Sequence, residues 1–272
     1  MSNTTSIYIK AMTITPAMAM DWLETVNNRN RPVSERHVNV LARDMENGKW
    51  KLTHEGIAFD PNGILLDGQH RLWAIVESGT PIDTLVFFNV PQDSIMVIND
   101  GRSRTVVDHL RLANRDGRLT SHHTSTLKAM LAGGGRSPRL SPQETSELLG
   151  KYRHAVDFAV KYLPHSRAKG ICNATTRAVI ARAWYSADPE LLIRFCELLT
   201  SGIISHIPSA FVLVSLRQYL MTHTDSSTAT QREKYGRTAR ALKAFLKGES
   251  IRKLIPATKE LFPLPEEKRA CA

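Results

Sequence analysis

Between the apolar triplet Ile64-Leu65-Leu66 and a helical repeat that begins at Leu72, the chain inserts five residues, Asp67-Gly68-Gln69-His70-Arg71, that suit neither element. Their flanks fix a local topology. Gly56-Ile57-Ala58-Phe59-Asp60 reads as a strand, Pro61-Asn62-Gly63 as a tight turn and Ile64-Leu65-Leu66 as the returning strand. After the polar insert, Leu72, Ile75 and Val76 recur at helical spacing until Gly79 ends the run, and residues 84–90 (TLVFFNV) read as a buried strand. The order strand, turn, strand, polar loop, helix, strand predicts an α+β domain with a small mixed sheet.

Upstream, residues 6–14 (SIYIKAMTI) alternate as a strand does, and Thr15-Pro16 opens a helix through Trp22 and Leu23 with proline in its first turn. Ser34 suits an N-cap for a second helix, which places Val38, Leu41, Ala42 and Met45 on one face before Gly48. Downstream, GGGRSPRLSP at 133–142 has no periodic pattern and marks a hinge. Beyond it, helical spacing recurs over 142–162, 173–187, 189–200, 208–222 and 229–247. The expected organisation is an α+β domain over residues 1–118, a linker over 119–142 and an all-helical region over 143–272.

Charge separates the two halves. Residues 1–118 hold 13 Lys and Arg against 14 Asp and Glu, leaving 23 against 12 for the rest, so all of the +10 excess lies in the helical half. A near-neutral ligand-handling domain followed by a basic region facing a polyanion fits this split; a merely solubilising charge is the alternative. On the 229–247 helix, Tyr235, Ala239, Leu242 and Leu246 share one face, with Arg232, Arg237, Arg240, Lys243 and Lys247 on the adjacent flank as candidate nucleic-acid contacts. No run of about eighteen apolar residues suggests a membrane span, and the N-terminus lacks the order of a secretory signal, so the expected location is the cytoplasm. Cys172, Cys196 and Cys271 are odd in number and widely spaced, which predicts reduced thiols and no zinc site.

The chemistry concentrates on the five-residue insert. Gly68 lets the backbone approach a ligand closely, and the unpaired amides of the next helical turn point outward with the positive end of the helix dipole behind them. His70 and Arg71 add side-chain donors, and an arginine fork grips two phosphate oxygens through charge-assisted bonds of about 1.5–3 kcal/mol each. Asp67 repels phosphate; it orients Arg71 or His70, binds a phosphate-bound Mg2+, or simply caps the helix. Arg102-Ser103-Arg104-Thr105 follows Gly101 and precedes another helix, where Arg102, Arg104 and Thr105 either complete the anion pocket or form a basic helix start.

The run Arg31-Pro32, the helix 34–47, Gly48, the strand 56–59, Asn62-Gly63, Leu65 to Ala74, Gly79 and the strand 84–89 resembles the ParB/sulfiredoxin superfamily over roughly residues 5–112. The loop reads G-x-R-R in chromosome-partitioning ParB proteins, G-C-H-R in sulfiredoxins, and D-G-H-H-R or D-G-Q-H-R in related kinases and phage or DNA-modification proteins. The resemblance implies that Gly68, Gln69, His70 and Arg71 hold nucleotide phosphates and that Arg29 or Arg31 reaches the same nucleotide from the upstream loop. Gln69 stands where sulfiredoxins carry their reactive cysteine, which excludes cysteine-sulfinate reduction. The resemblance also implies a kinase-like branch, for which Glu35, Glu55 and Asp67 are the carboxylates to weigh and Asp67 and His70 the candidate catalytic pair.

The expectation is a nucleotide-dependent DNA-binding protein of phage or bacterial type. It binds ATP or CTP, with or without Mg2+, pairs with DNA rather than a membrane, and is open to homodimer formation. A phosphoryl-transfer enzyme or nuclease using the same loop, and a scaffold that binds no ligand, are the alternatives.

Overall fold

The computed structural model describes residues 6–28, 30–96, 105–114, 117–165, 170–203 and 211–270. The chain divides into two compact units: residues 1–104 with 139–143, and residues 105–138 with 144–272. Among the described residues, no helix is long and apolar enough to cross a membrane.

In the first unit β1 (Tyr8–Ile14), β2 (Ile57–Phe59), β3 (Leu65–Asp67) and β4 (Ile82–Phe88) form one mixed sheet in the order β1-β4-β2-β3. β1 runs antiparallel to β4, with Ile14 opposite Ile82 and Tyr8 opposite Phe88. β2 runs antiparallel to β3 but parallel to β4, with Ile57 opposite Val86. The β2–β3 turn is made by Asp60, whose buried carboxylate accepts from the amides of Asn62 (2.7 Å) and Ile64 (2.9 Å). Because β4 is interior, alternate residues Ile82, Thr84 and Val86 are buried, whereas the edge strand β1 buries only Ile14 fully.

Three helices cover one face of that sheet. α1 (Pro16–Thr25) starts where the Thr15 hydroxyl accepts from the Met18 amide at 3.3 Å, with proline at its first turn. α2 (Glu35–Glu46) begins after Ser34, as expected, yet the serine side chain makes no capping bond there. α3 (Gln69–Ser78) runs between two left-handed glycines, Gly68 and Gly79. Ala19, Leu23, Val38, Ala42, Met45, Leu72 and Ile75 from these helices bury against Ile14, Ile57, Phe59, Leu65 and Val86 of the strands. Complete burial of such side chains stabilises by about 1.5–3 kcal/mol each, and this small core holds α3 with its first turn beside the start of β2.

The second unit contains α4 (Val106–Asn114), α5 (Ser121–Ala132), α6 (Pro142–Tyr162), α7 (Ala174–Ala183), α8 (Pro189–Ser201), α9 (Phe211–Thr222), α10 (Thr228–Leu246) and α11 (Pro265–Ala270). Asn173 caps α7 by accepting from the Thr176 amide at 2.9 Å, and Asp188 and Ser227 do the same service for α8 and α10. α7 is buried on every side from Thr175 to Ala183, including Arg177 and Arg182; α5 and α10 pack against it, and α9 packs against α10. The helical expectation for the second half therefore holds, with each predicted segment matched by one helix.

The expected linker over 119–142 does not hold as drawn. Residues 121–132 form α5, whose Leu127 and Met130 are fully buried, and only the stretch from Gly133 onward is irregular. The two histidines and four hydroxyl residues of SHHTST dilute the apolar repeat, but Thr120 and His123 form a capping box at its start. The boundary of the first unit accordingly lies at residue 104 rather than 118, and residues 139–143 return to it. There Arg43 donates to the Arg139 carbonyl at 2.7 Å and Ser141 donates to Asp44 at 3.0 Å.

Candidate functional site

The site is built where β2 begins and α3 begins. Gly68 adopts φ +107°, which places the α3 amides of Gln69 and His70 ahead of the first intrahelical donor, Arg71, whose amide bonds to the Gly68 carbonyl at 2.9 Å. Above this turn lies an open cavity of about 750 Å3 lined by Gly68, Asp67, His70 and Arg71, by Arg31 and His37, and by the loop residues Lys49, Trp50, Lys51, Thr53 and Glu55. A glycine turn, a helix start and a concavity thus coincide.

Arg71 lies along the cavity wall, held rather than loose. Its Nη1 donates to the Gly56 carbonyl at 2.9 Å, its Nη2 lies 2.8 Å from Glu55 Oε2, and Asp67 Oδ2 is 3.9 Å from Nη1. An arriving anion has to share this guanidinium with Glu55, whose exposed carboxylate makes a weak competitor. Arg31 and Lys51 are exposed and carry cations that no carboxylate of the described residues engages. With both histidines neutral, the four cations Arg31, Lys49, Lys51 and Arg71 outnumber Asp44, Glu55 and Asp67.

His70 accepts at Nε2 from the Ser34 amide at 3.1 Å, so the neutral ring carries its proton on Nδ1. Its ring meets that of His37 edge-on, with centroids 5.4 Å apart. Burial lowers the pKa of both, and neighbouring charge adds to it: Arg71 and Arg31 beside His37, and His37 and Arg31 beside His70, against a small opposing pull from Asp67. An anion among these groups favours the charged imidazoles and raises both values. Anion binding is therefore expected to take up protons, and phosphate affinity to rise as pH falls from 8 through 6.5, the ordinary histidine value. Isothermal titration in two buffers of different ionisation enthalpy measures that uptake; an affinity that falls over this range would place the histidines outside the site.

Several sequence-derived site residues fall elsewhere. Gln69 is buried and does not line the cavity; its amide donates to the Arg31 carbonyl at 2.8 Å and so positions the upstream loop instead of contacting phosphate. Thr105 belongs to the helical unit, where its hydroxyl and amide both engage Asp108 at the start of α4. Arg29, Arg102 and Arg104 lie outside the described residues. Arg237 is consumed within its own unit: it pairs with Glu233 at 2.6 Å, donates to the Leu254 carbonyl at 2.7 Å and stacks over the Tyr219 ring. Arg232, Arg240 and Lys247 remain exposed and Lys243 half-buried, with Lys247 3.5 Å from Glu249. Cys172 and Cys196 are buried and in no disulfide, and burial pushes the Cys196 pKa well up.

Sequence reasoning missed His37, Lys49, Trp50 and Lys51. The strand–loop–helix pattern offered no signal for them, because the loop 49–55 reaches the cavity only through the pairing of β2 with β4. No family model matches the chain, and no curated protein or solved structure matches it.

Proposed function

We propose that the first unit binds the phosphate groups of a nucleoside triphosphate, ATP or CTP, over Gly68, and that the basic helical unit holds DNA. One observation carries the first half: Gly68 and His70 at the start of α3, the Arg71 guanidinium, and Arg31 and Lys51, which no carboxylate of the described residues engages, all border the same cavity. A volume of about 750 Å3 falls within the range of ligand pockets and accommodates a nucleotide. The resemblance of the Asp67–Arg71 loop to that of the ParB/sulfiredoxin superfamily supports the same ligand class. Asp67 and Glu55 together supply the one or two carboxylates that Mg2+ takes when phosphate oxygens complete its shell, so they are the residues that would hold it.

Thermal denaturation with ATP, CTP, GTP and ADP, each with Mg2+, tests the reading. A ligand at about 100 times its Kd stabilises by about 2.7 kcal/mol. Arg31→Ala and Lys51→Ala remove exposed side chains outside the core, and each is expected to weaken binding about tenfold, as loss of one charge-assisted contact does. A flat response to all four nucleotides, with binding of none in direct titration, would sink the proposal.

A further inference from the structure

Two concavities in the helical unit meet at the Gly133-Gly134-Gly135 turn that ends α5. One, of about 340 Å3, opens between α5, the start of α7 and α10; the other, of about 250 Å3, opens between α10 and residues 257–260. They share Ala132, Gly134, Gly135 and Tyr235 and form one groove. The turn has little side chain to obstruct it. Gly134, at φ +81°, lies so close to Tyr235 that a Cβ would come within 3.0 Å of the ring.

Lys128 from α5, Arg232 from α10 and Lys259 border this groove. No carboxylate of the described residues pairs with any of the three. The one acid on the rim, Glu260, shares Arg182 with Glu267 and accepts from the Tyr235 hydroxyl at 2.7 Å. Three cations therefore border the groove against a single carboxylate that is already engaged from within the unit. Arg232 also begins the basic flank of α10, since Arg232, Arg240, Lys243 and Lys247 fall within about 80° of the helix circumference at 3.6 residues per turn. Pro256 and Ala257 cross that flank at the buried Gly236, where the Ala257 amide donates to the Gly236 carbonyl at 3.0 Å, so Arg232 belongs to the groove and the other three cations to a separate patch beyond the crossing.

We propose that the sugar-phosphate backbone of DNA lies in this groove, over the glycine turn, with Lys128, Arg232 and Lys259 on its phosphates. The inference rests on the DNA half of the proposed function and assigns it a place. An open groove bordered by three separated cations suits an extended polyanion better than a compact one, which needs donors converging on a point.

The test measures binding of the full chain to a duplex of about 20 base pairs at several salt concentrations. The parent protein is expected to give a linear log-log dependence of affinity on salt, with slope about −0.9 per phosphate contact. The Lys128→Ala/Lys259→Ala variant is expected to flatten that slope by about 1.8, and adding Arg232→Ala by about 0.9 more. A Lys161→Ala/Arg194→Ala variant, which removes two exposed cations of the same unit away from the groove, is expected to leave it unchanged. If the parent binds with salt dependence and the groove variants match it, or the control flattens the slope as much, the groove assignment is overturned while DNA binding stands. If the parent binds no DNA at low salt, the DNA half of the proposed function fails and this inference with it.

Discussion

Replacing Arg182 by methionine is expected to destabilise the helical unit by about 3 kcal/mol, the lower end of the cost of removing one partner from a buried ion pair. Arg182 is 1% exposed, inside α7, and its guanidinium gathers four groups from distant parts of the chain. It donates to the Met130 carbonyl at 2.7 Å, in the last turn of α5, and to the Phe262 carbonyl at 3.0 Å. It also pairs with Glu267 and with Glu260, which accept in turn from the amides of Leu264 and Phe262. Methionine fills the volume but removes the arginine donor from both carbonyls, each costing about 1–3 kcal/mol where it stays dry, and leaves the Glu260 carboxylate with the Tyr235 hydroxyl and Phe262 amide but no cation. Glu267 is 45% exposed and recovers solvation, which is why the lower end applies.

Lysine at 182 is expected to recover less than half of the loss, because a single ammonium cannot span carbonyls and carboxylates on opposite sides of a planar fork. Urea denaturation gives the magnitude, and faster amide exchange in α7 and α10 with α3 unaffected locates it. A loss under 1 kcal/mol would mean that residues 254–270 are not held by this arginine.

Little of that network was readable from the sequence, whereas the elements carrying it were. Alternation in SIYIKAMTI, the Pro61-Asn62-Gly63 turn and the Gly79 stop all lie within a few residues of what they specify, so β1, the β2–β3 hairpin and α3 follow from local pattern. Arg177 and Arg182 defeat the same logic. A hydrophobic reading places arginine outside, yet Arg177 is buried with bonds to the Leu163 and Cys172 carbonyls at 2.8 and 3.0 Å. Burial lowers its pKa, and the only clue was an arginine pair inside an otherwise small and apolar helix, ATTRAVIARA. The helix α5 was lost for the converse reason: polar His123 and Thr126 are buried there and break the apolar repeat, although local capping satisfies its start.

The candidate site divides in the same way. Gly68, Asp67, His70 and Arg71 were legible because one turn of chain brings them together. The Glu55 carboxylate on Arg71 and the His70–Ser34 bond depend on which strand lies beside which, and sequence spacing contains no such information. Gln69 shows the limit of reading such a loop from spacing: successive residues of a helical first turn point about 100° apart, so one of the five faces inward and secures Arg31.

Gly68→Ala is expected to cost the first unit about 2–6 kcal/mol and to abolish phosphate binding at concentrations that saturate the parent. Two independent effects add. At φ +107° an L-residue is strained by about 1–3 kcal/mol. An added Cβ would also lie 2.9 Å from Ile57 Cγ1 and 3.1 Å from Ile57 Cα, and overpacking of that kind costs about 1–3 kcal/mol more. Ile57 is fully buried between β3 and β4 and cannot retreat, so the start of α3 must move away from β2. That motion separates Arg71 from the Gly56 carbonyl and moves His70 off the cavity. Gly63→Ala separates the two effects, since Gly63 has φ +76° with nothing within 4 Å of a Cβ and should cost only the strain, about 1 kcal/mol, with binding intact. Equal losses in the two variants, by urea denaturation and nucleotide titration side by side, would show that α3 does not rest against β2 at residue 68, and the amides over Gly68 would then lose their claim to a ligand.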